Sequence, residues 1–150
     1  MPRKAKKEIK PVEKKEVTPK AKYVYTIGRR KSATARVRLF SGKGETLVND
    51  KPIADYFPGE IAKTFYLMPF KVTDTLGKYY ATIRVLGSGK NSQLTAVVHG
   101  LSRALDKDNK EIHHPALKIN DLLTRDPRER ERRKPGLGGK ARRHKQSPKR

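Results

Sequence analysis

The side chains with the clearest chemistry in this sequence are its cations, which occur in a short motif and in one long run. Gly28–Ser32 places three successive cations, Arg29, Arg30 and Lys31, in a predicted turn between two alternating segments. Residues 125–150 hold twelve cations and three carboxylates, with no carboxylate from Arg132 onward. Guanidinium groups bind phosphates through paired hydrogen bonds, and lysine adds a point charge. These residue types favour contact with a polyanion.

A further motif, Gly87–Ser92, leads from a predicted strand into a predicted helix, where backbone N–H groups can bind an anion. It does not fit a nucleotide-binding P-loop, because Lys90 is followed by Asn91 and Arg84 stands where the first glycine is required. The dinucleotide-binding G-x-G-x-x-G also fails, since Ser92 replaces the third glycine. An RNA phosphate beside Lys90 and a plain strand–helix turn both stay open.

The remaining reactive groups form no recognisable catalytic or metal site. His113 and His114 are adjacent, but no further ligand is spaced to complete a zinc site, and we expect both to face solvent. The chain has no cysteine, which excludes disulfides and cysteine-ligated zinc. No nucleophile is paired with a base. We therefore expect a protein that is not an enzyme and that has no cofactor and no small-molecule substrate.

Composition points to nucleic acid as the partner. The 150 residues include 37 Lys or Arg against 15 Asp or Glu, a formal net charge of +22. Such a field attracts polyanions. No apolar run approaches the roughly 20 residues that cross a bilayer, and the start of the chain lacks the apolar centre of a secretory signal. We expect a cytoplasmic protein without a membrane partner.

The charge is distributed over three segments. Residues 1–22 form a Lys-rich extension that should be disordered in isolation. Residues 23–124 carry nearly all the large apolar residues and predict one globular α/β domain. Residues 125–150 form an extended basic tail, which can become ordered only against a polyanion.

Periodicity predicts the elements of the middle segment. The predicted strands are 23–27, 33–39, 46–49 and 79–85, and the predicted helices are 53–57, 60–66, about 93–106 and 115–123. This order suggests a two-layer domain, with helices on one face of a mixed sheet. Ala35 and Val37 would face the helices, and Arg36, Arg38 and Arg84 would lie on the other face.

The longest predicted helix has a single apolar stripe that includes Leu94, Leu101 and Leu105. Ser92, Ala96, His99 and Arg103 are expected on the opposite face. Gly100 is unfavourable inside a helix by about 1 kcal/mol relative to alanine. It permits a close approach, either of the helix to the sheet or of RNA to the helix, and the sequence does not decide between them.

Four blocks resemble, in order, the family of the ninth protein of the small ribosomal subunit. They are YTIGRRKSATARVRL, LVNDKPIADYF, HGLSRAL and LLTRDPRERERRKPGLGGKARR. The resemblance covers about Tyr23 to Arg150, and the last block looks bacterial. The sequence departs from the family pattern in the loop 87–93, at Val98 and at Gln146–Arg150. In the last of these the usual aromatic residue is absent and a proline, Pro148, is added.

The resemblance implies a fold like the second domain of the fifth small-subunit protein, with a left-handed crossover. It implies a structural role on 16S rRNA in the subunit head, beside neighbouring head proteins. The tail would extend toward the peptidyl-site tRNA, bringing Lys149 and Arg150 near its anticodon stem-loop. The candidate rRNA contacts are Arg29, Arg30, Lys31, Arg36, Arg38, Arg84, Lys90, His99, Arg103, Arg125, Arg128, Arg130, Arg132, Arg133, Lys134, Lys140, Arg142, Arg143 and Lys145.

Two other functions fit parts of the sequence. One is an RNA-binding protein that acts outside the ribosome, such as the protein subunit of ribonuclease P, which would be expected to lack the basic tail. The other is a small-molecule kinase of related fold that uses Gly87–Ser92 on ATP. The short chain, the failed P-loop and the missing base argue against the kinase.

Overall fold

A five-stranded mixed sheet forms one layer of the domain. The computed structural model describes residues 22–132, and its strands are β1 (Tyr23–Arg30), β2 (Ala33–Ser41), β3 (Leu47–Val48), β4 (Lys51–Pro52) and β5 (Tyr79–Leu86). Their order across the sheet is β1-β2-β5-β3-β4. β3 is parallel to β5, and the other neighbouring pairs are antiparallel. The predicted α/β class with a mixed sheet is confirmed.

Four helices form the second layer: α1 (Ile53–Tyr56), α2 (Glu60–Val72), α3 (Lys90–Asp108) and α4 (Lys110–Ile119). α3 packs across β1 and β2, while α2 and α4 pack against α3. The helices therefore cover one face of the sheet, as predicted. That face supplies the core through Ala33, Ala35, Val37, Leu39, Ala81, Ile83 and Val85, which pack against Val97, Leu101, Leu105 and Leu117.

α3 and β1 touch through their backbones at two glycines. A Cβ atom added to Gly28 would lie 1.9 Å from the Ala96 carbonyl oxygen and 2.4 Å from the Gly100 nitrogen. A Cβ added to Gly100 would lie 2.7 Å from Cγ2 of Val37. The Thr26 hydroxyl also donates to the Gly100 carbonyl at 2.8 Å. Gly100 therefore serves the approach of helix to sheet.

Asn49 extends the very short parallel pair of β3 and β5. Its side-chain amide donates to the Val85 carbonyl at 3.0 Å, and its side-chain oxygen accepts from the Val85 N–H at 2.9 Å. The Asn49 N–H donates to the Ile83 carbonyl at 2.9 Å. The asparagine side chain thus replaces one further residue of strand, and it does so from a left-handed φ of 49° that asparagine tolerates well.

The predicted bounds of α2 and α4 differ from the structure, and each of these helices contains a proline. α2 runs to Val72 rather than Tyr66, with Pro69 buried beside Phe70. α4 begins at Lys110 and ends at Ile119, whereas the prediction started it at Pro115. Packing of these helices against α3 outweighs the hydrogen bond that each proline removes.

Three local predictions were wrong. Arg29 and Arg30 belong to β1 and pair with β2, so the turn is only Lys31–Ser32. His113 is buried, and His114 Nδ1 lies 2.7 Å from a carboxylate oxygen of Asp106, so neither simply faces solvent. In each case a tertiary neighbour, absent from the local pattern, decides the position.

The predicted polar face of α3 is also corrected. Ala96 is fully buried and lies against Gly28 of β1. His99 and Arg103 lie beside it, at the edge of the same strand, and contact β1 through hydrogen bonds. The stripe that faces the sheet is therefore wider than the apolar residues alone indicate.

Candidate nucleic-acid interface

Three of the predicted cations converge at the outer edge of β1. Arg29 of β1, Arg103 of α3 and Arg125 of the segment after α4 line one concavity together with His99. We call these four residues the sheet-edge cluster. The concavity is completed by Tyr25, Thr26, Ile27 and Leu123, and no carboxylate is among its lining residues. Three guanidinium groups around one hollow favour a bound anion.

His99 of α3 connects the helix with β1 and with the segment that precedes the tail. The Arg29 N–H donates to His99 Nδ1 at 3.3 Å, so the ring proton lies on Nε2, which is 3.2 Å from the Leu123 carbonyl oxygen. Burial lowers the pKa of His99, and the nearby charges of Arg103 and Arg125 lower it further. His99 is therefore a neutral link between β1, α3 and the start of the tail, in addition to its predicted place beside RNA.

The free edge of β1 is covered by α3. Arg103 donates from Nη1 to the Ile27 carbonyl, and His99 accepts from the Arg29 N–H two residues further on. Unpaired edge groups invite pairing with another strand, and side chains that occupy them prevent it. These two bonds therefore occupy edge groups of β1 that could otherwise pair with another strand.

Asp126 fixes the root of the tail to the body. Its carboxylate lies 3.1 Å from Arg30 Nη2 and accepts three further bonds from the Arg128 guanidinium, two of them from Nε. Arg30 also donates to the Arg128 carbonyl at 2.6 Å. Hydrogen bonds from Arg128, and then the charge of Arg30, hold the pKa of Asp126 well below its usual value. Arg30 and Arg128, predicted as phosphate contacts, thus have partners within the protein.

The sheet surface that faces away from the helices, which we call the open face, carries a second group of cations. Arg36 and Arg38 of β2 and Arg84 of β5 are exposed there and line a shallow hollow with Tyr23, Tyr25 and Thr82. The alternation of side chains along the strands correctly predicted that the three arginines lie on this face. The two tyrosines were missed, although their alternation with Val24 and Thr26 was the available signal.

Lys90 lies apart from both groups, at the start of α3. Its Nζ lies 3.3 Å from the centroid of the Tyr56 ring and donates to the Tyr56 carbonyl at 3.4 Å. The Gln93 side chain donates to the Gly87 carbonyl at 3.0 Å and ties the loop to the helix. The RNA phosphate predicted at this helix start stays a prediction, and Lys90 has an aromatic partner within the chain.

The structure covers only the first part of the predicted tail. Arg130 and Arg132 are exposed and have no regular secondary structure, and Lys31 is exposed in the β1–β2 turn. Eight predicted contacts lie outside the described residues: Arg133, Lys134, Lys140, Arg142, Arg143, Lys145, Lys149 and Arg150.

Residues 22–132 contain neither a membrane-spanning helix nor a metal-binding group of side chains. No helix of this part combines the length and the apolar character needed to cross a bilayer. No group of three or more His, Asp or Glu side chains in it is arranged to hold a metal ion.

Similarity to known proteins identifies the family. Residues 28–150 match the family model for ribosomal protein S9/S16. The small ribosomal subunit protein uS9 of Dehalococcoides mccartyi (strain CBDB1) is 47% identical over 115 residues, which cover 77% of this chain and 86% of the relative. The uS9 protein of Maridesulfovibrio salexigens is 45% identical over 115 residues, covering 77% of this chain and 88% of the relative. The resemblance read from the sequence blocks is confirmed, and the chain belongs to the ribosomal protein S9 family, in its bacterial form.

Proposed function

We propose that this chain, a structural constituent of the small ribosomal subunit, binds ribosomal RNA through the sheet-edge cluster and through the basic tail that starts beside it. The observation that carries the proposal is the meeting of Arg29, Arg103 and Arg125 at the point where the chain leaves the body. Family membership supplies the setting, a ribosomal protein of the cytoplasm that is not an enzyme.

The electrostatics of the cluster support an RNA phosphate as its ligand. Arg29 and Arg125 are exposed, and the concavity they line contains no carboxylate. Arg103 is held in place by its bond to Ile27, so one cation is already oriented. Phosphate groups neutralise such charge with release of counterions, which gives affinity without reading base sequence.

The same contacts support the predicted division of the chain into body and tail. The body, residues 23–124, holds the buried core, and the tail, residues 125–150, begins at Arg125 just after the Leu123 carbonyl is bound by His99. Residues 1–22 are a further basic extension. The tail contributes net charge of +9 in 26 residues, which suits an extended path along RNA.

The first test removes charge from the cluster alone. We expect Arg29→Gln with Arg125→Gln to weaken binding of 16S rRNA about tenfold and to lower the log–log salt slope by about 1.4–1.8, since each lost phosphate contact removes about 0.7–0.9. A salt titration of binding by the full chain measures both quantities. Lys63→Gln with Lys71→Gln, an equal loss of charge from exposed positions on α2, is the control. Equal effects of the two double variants would contradict a specific role for the cluster.

We also propose that Lys149 and Arg150 contact the peptidyl-site tRNA. The family resemblance supports this placement, and two adjacent cations would act on phosphates without reading base identity. Such a contact suits a site that accepts every tRNA.

Deletion of Lys149 and Arg150 is expected to weaken tRNA binding in the peptidyl site by a fewfold at low salt, because each exposed ionic contact contributes about 1 kcal/mol or less. The measurement uses isolated small subunits that carry the truncated chain, with subunit assembly checked by sedimentation. Unchanged tRNA affinity in fully assembled subunits would leave the residues with an rRNA role only.

A further inference from the structure

We propose that the open face of the sheet binds unpaired nucleotides of RNA, with Tyr23 and Tyr25 as stacking surfaces and the neighbouring arginines as phosphate contacts. This inference rests on the proposed RNA-binding function. It adds a second surface, which adjoins the sheet-edge concavity through Tyr25 and carries its own cations, Arg36, Arg38 and Arg84, and it names the kind of RNA structure that this surface takes.

The strand register places rings and guanidinium groups in successive rows. Tyr25 of β1 lies opposite Arg38 of β2, which lies opposite Thr82 of β5. In the next row Arg36 lies opposite Arg84. Neighbouring strands are about 4.8 Å apart, and same-face rows along a strand are about 6.7 Å apart. A chain of splayed nucleotides can therefore meet aromatic and cationic groups alternately.

Both tyrosines are exposed, and the Tyr23 ring is also braced by neighbouring rings. Tyr23 and Tyr25 are 48% and 41% exposed. The Tyr23 ring packs against Phe40 with centroids 5.6 Å apart, and Phe40 in turn stacks on Tyr80 at 5.1 Å and 12°. Contacts across three strands hold the Tyr23 ring in place, so little side-chain entropy is left to lose when a base stacks on it.

Among residues 22–132, no carboxylate forms an ion pair with the cations of the open face. Arg36 and Arg84 are directly opposite each other on adjacent strands, an arrangement that destabilises a sheet when the charges are alike. No carboxylate is among the residues that line this hollow. Cζ of Arg38 lies over the Tyr23 ring, 5.5 Å from its centroid, so its partner on this face is an uncharged ring. A bound phosphate would relieve the repulsion between Arg36 and Arg84.

The shape of the surface favours unpaired RNA over a duplex. Bases in an A-form helix are stacked on each other, and their edges lie in grooves that a flat sheet cannot enter. Unstacked bases present their faces, and aromatic side chains bind those faces with little sequence preference. A protein partner is the less favoured occupant, because three arginines at the centre of an interface would have to be desolvated.

The test compares ring removal on two forms of RNA, using the full chain. We expect Tyr25→Ala to weaken binding of single-stranded oligouridylate about five- to hundredfold, in line with loss of one stacked base. Tyr25→Phe keeps the ring and should bind like the wild type. Affinity for an RNA duplex of equal charge should not change with either variant. Phe65→Ala, which removes a ring 52% exposed on α2, is the matched control.

A second variant distinguishes loss of RNA binding from loss of protein stability. Arg36→Gln should raise the melting temperature of the free protein, because it removes the repulsion with Arg84, and should lower affinity for the single strand. Equal losses on single strand and duplex, or retained oligouridylate binding by Tyr25→Ala, would overturn the inference and leave the proposed function intact. Failure of the wild type to bind any RNA would instead contradict the proposed function.

Discussion

Gly28→Ala is expected to abolish the cooperative thermal transition of the protein or to lower its midpoint severely. The added Cβ would lie 1.9 Å from the Ala96 carbonyl oxygen. Its next nearest atoms are the nitrogen and Cα of Gly100, so all three belong to the backbone of α3. The helix must therefore move away from β1, and packing against Val37 and the Thr26–Gly100 bond would be lost with it. Overpacking alone costs about 1–3 kcal/mol, a large part of the roughly 5–15 kcal/mol that stabilises a domain.

Circular dichroism during heating measures this effect, and Gly89→Ala is its control. Gly89 precedes α3, its φ of −96° is open to any residue, and an added Cβ would meet nothing within 4 Å. We expect that control to change stability by about 1 kcal/mol or less. A Gly28→Ala protein that melts like the wild type would show that helix and strand are further apart than described.

Removal of residues 125–150 is expected to cause the largest loss of RNA affinity. The deletion takes twelve of the 37 cations and a net charge of +9. If six phosphate contacts are lost, the log–log salt slope should fall by about 4–5. The body should still fold, because Leu123 and its bond to His99 are retained. Filter binding to 16S rRNA over a range of salt concentrations gives the slopes.

Deletion of residues 1–22, which carries nine cations and three carboxylates, provides the comparison. We expect a smaller change of slope, because this extension is less densely charged than the tail. A truncated tail variant with the slope of the full chain would mean that the body alone makes the phosphate contacts.

Strand faces could be predicted from the sequence because a two-residue period has a single solution when one side is buried. Ala33, Ala35 and Val37 are fully buried, so Arg36 and Arg38 must lie on the open face. The pairing of Arg36 with Arg84 could not be predicted in this way. Register depends on how two distant strands align, and that information is tertiary.

The errors have a common physical origin in contacts between distant segments. The prediction ended α2 at Tyr66, before Pro69, and started α4 at Pro115, but burial of Phe70 and Leu117 keeps both helices continuous through their prolines. The phosphate contact of Arg30 stays a prediction, and its ion pair with Asp126, 96 residues away, could not be predicted from the sequence. Nothing in the local pattern of either residue records that neighbour.

The two attachments of the tail root have a consequence for the order of binding. His99 holds Leu123 and Arg30 holds Asp126, so the tail leaves the body from a fixed point. Once the body is bound, the 26 residues of the tail can reach at most about 90 Å from it. The tail is therefore present at a high effective concentration near the phosphates within that distance. Body and tail then act as two tethered ligands of one RNA. Their avidity depends on this joint, which lies beside the sheet-edge cluster because His99 belongs to both. Replacing Asp126 would therefore widen the range of directions in which the tail leaves the body and would slow its capture by RNA.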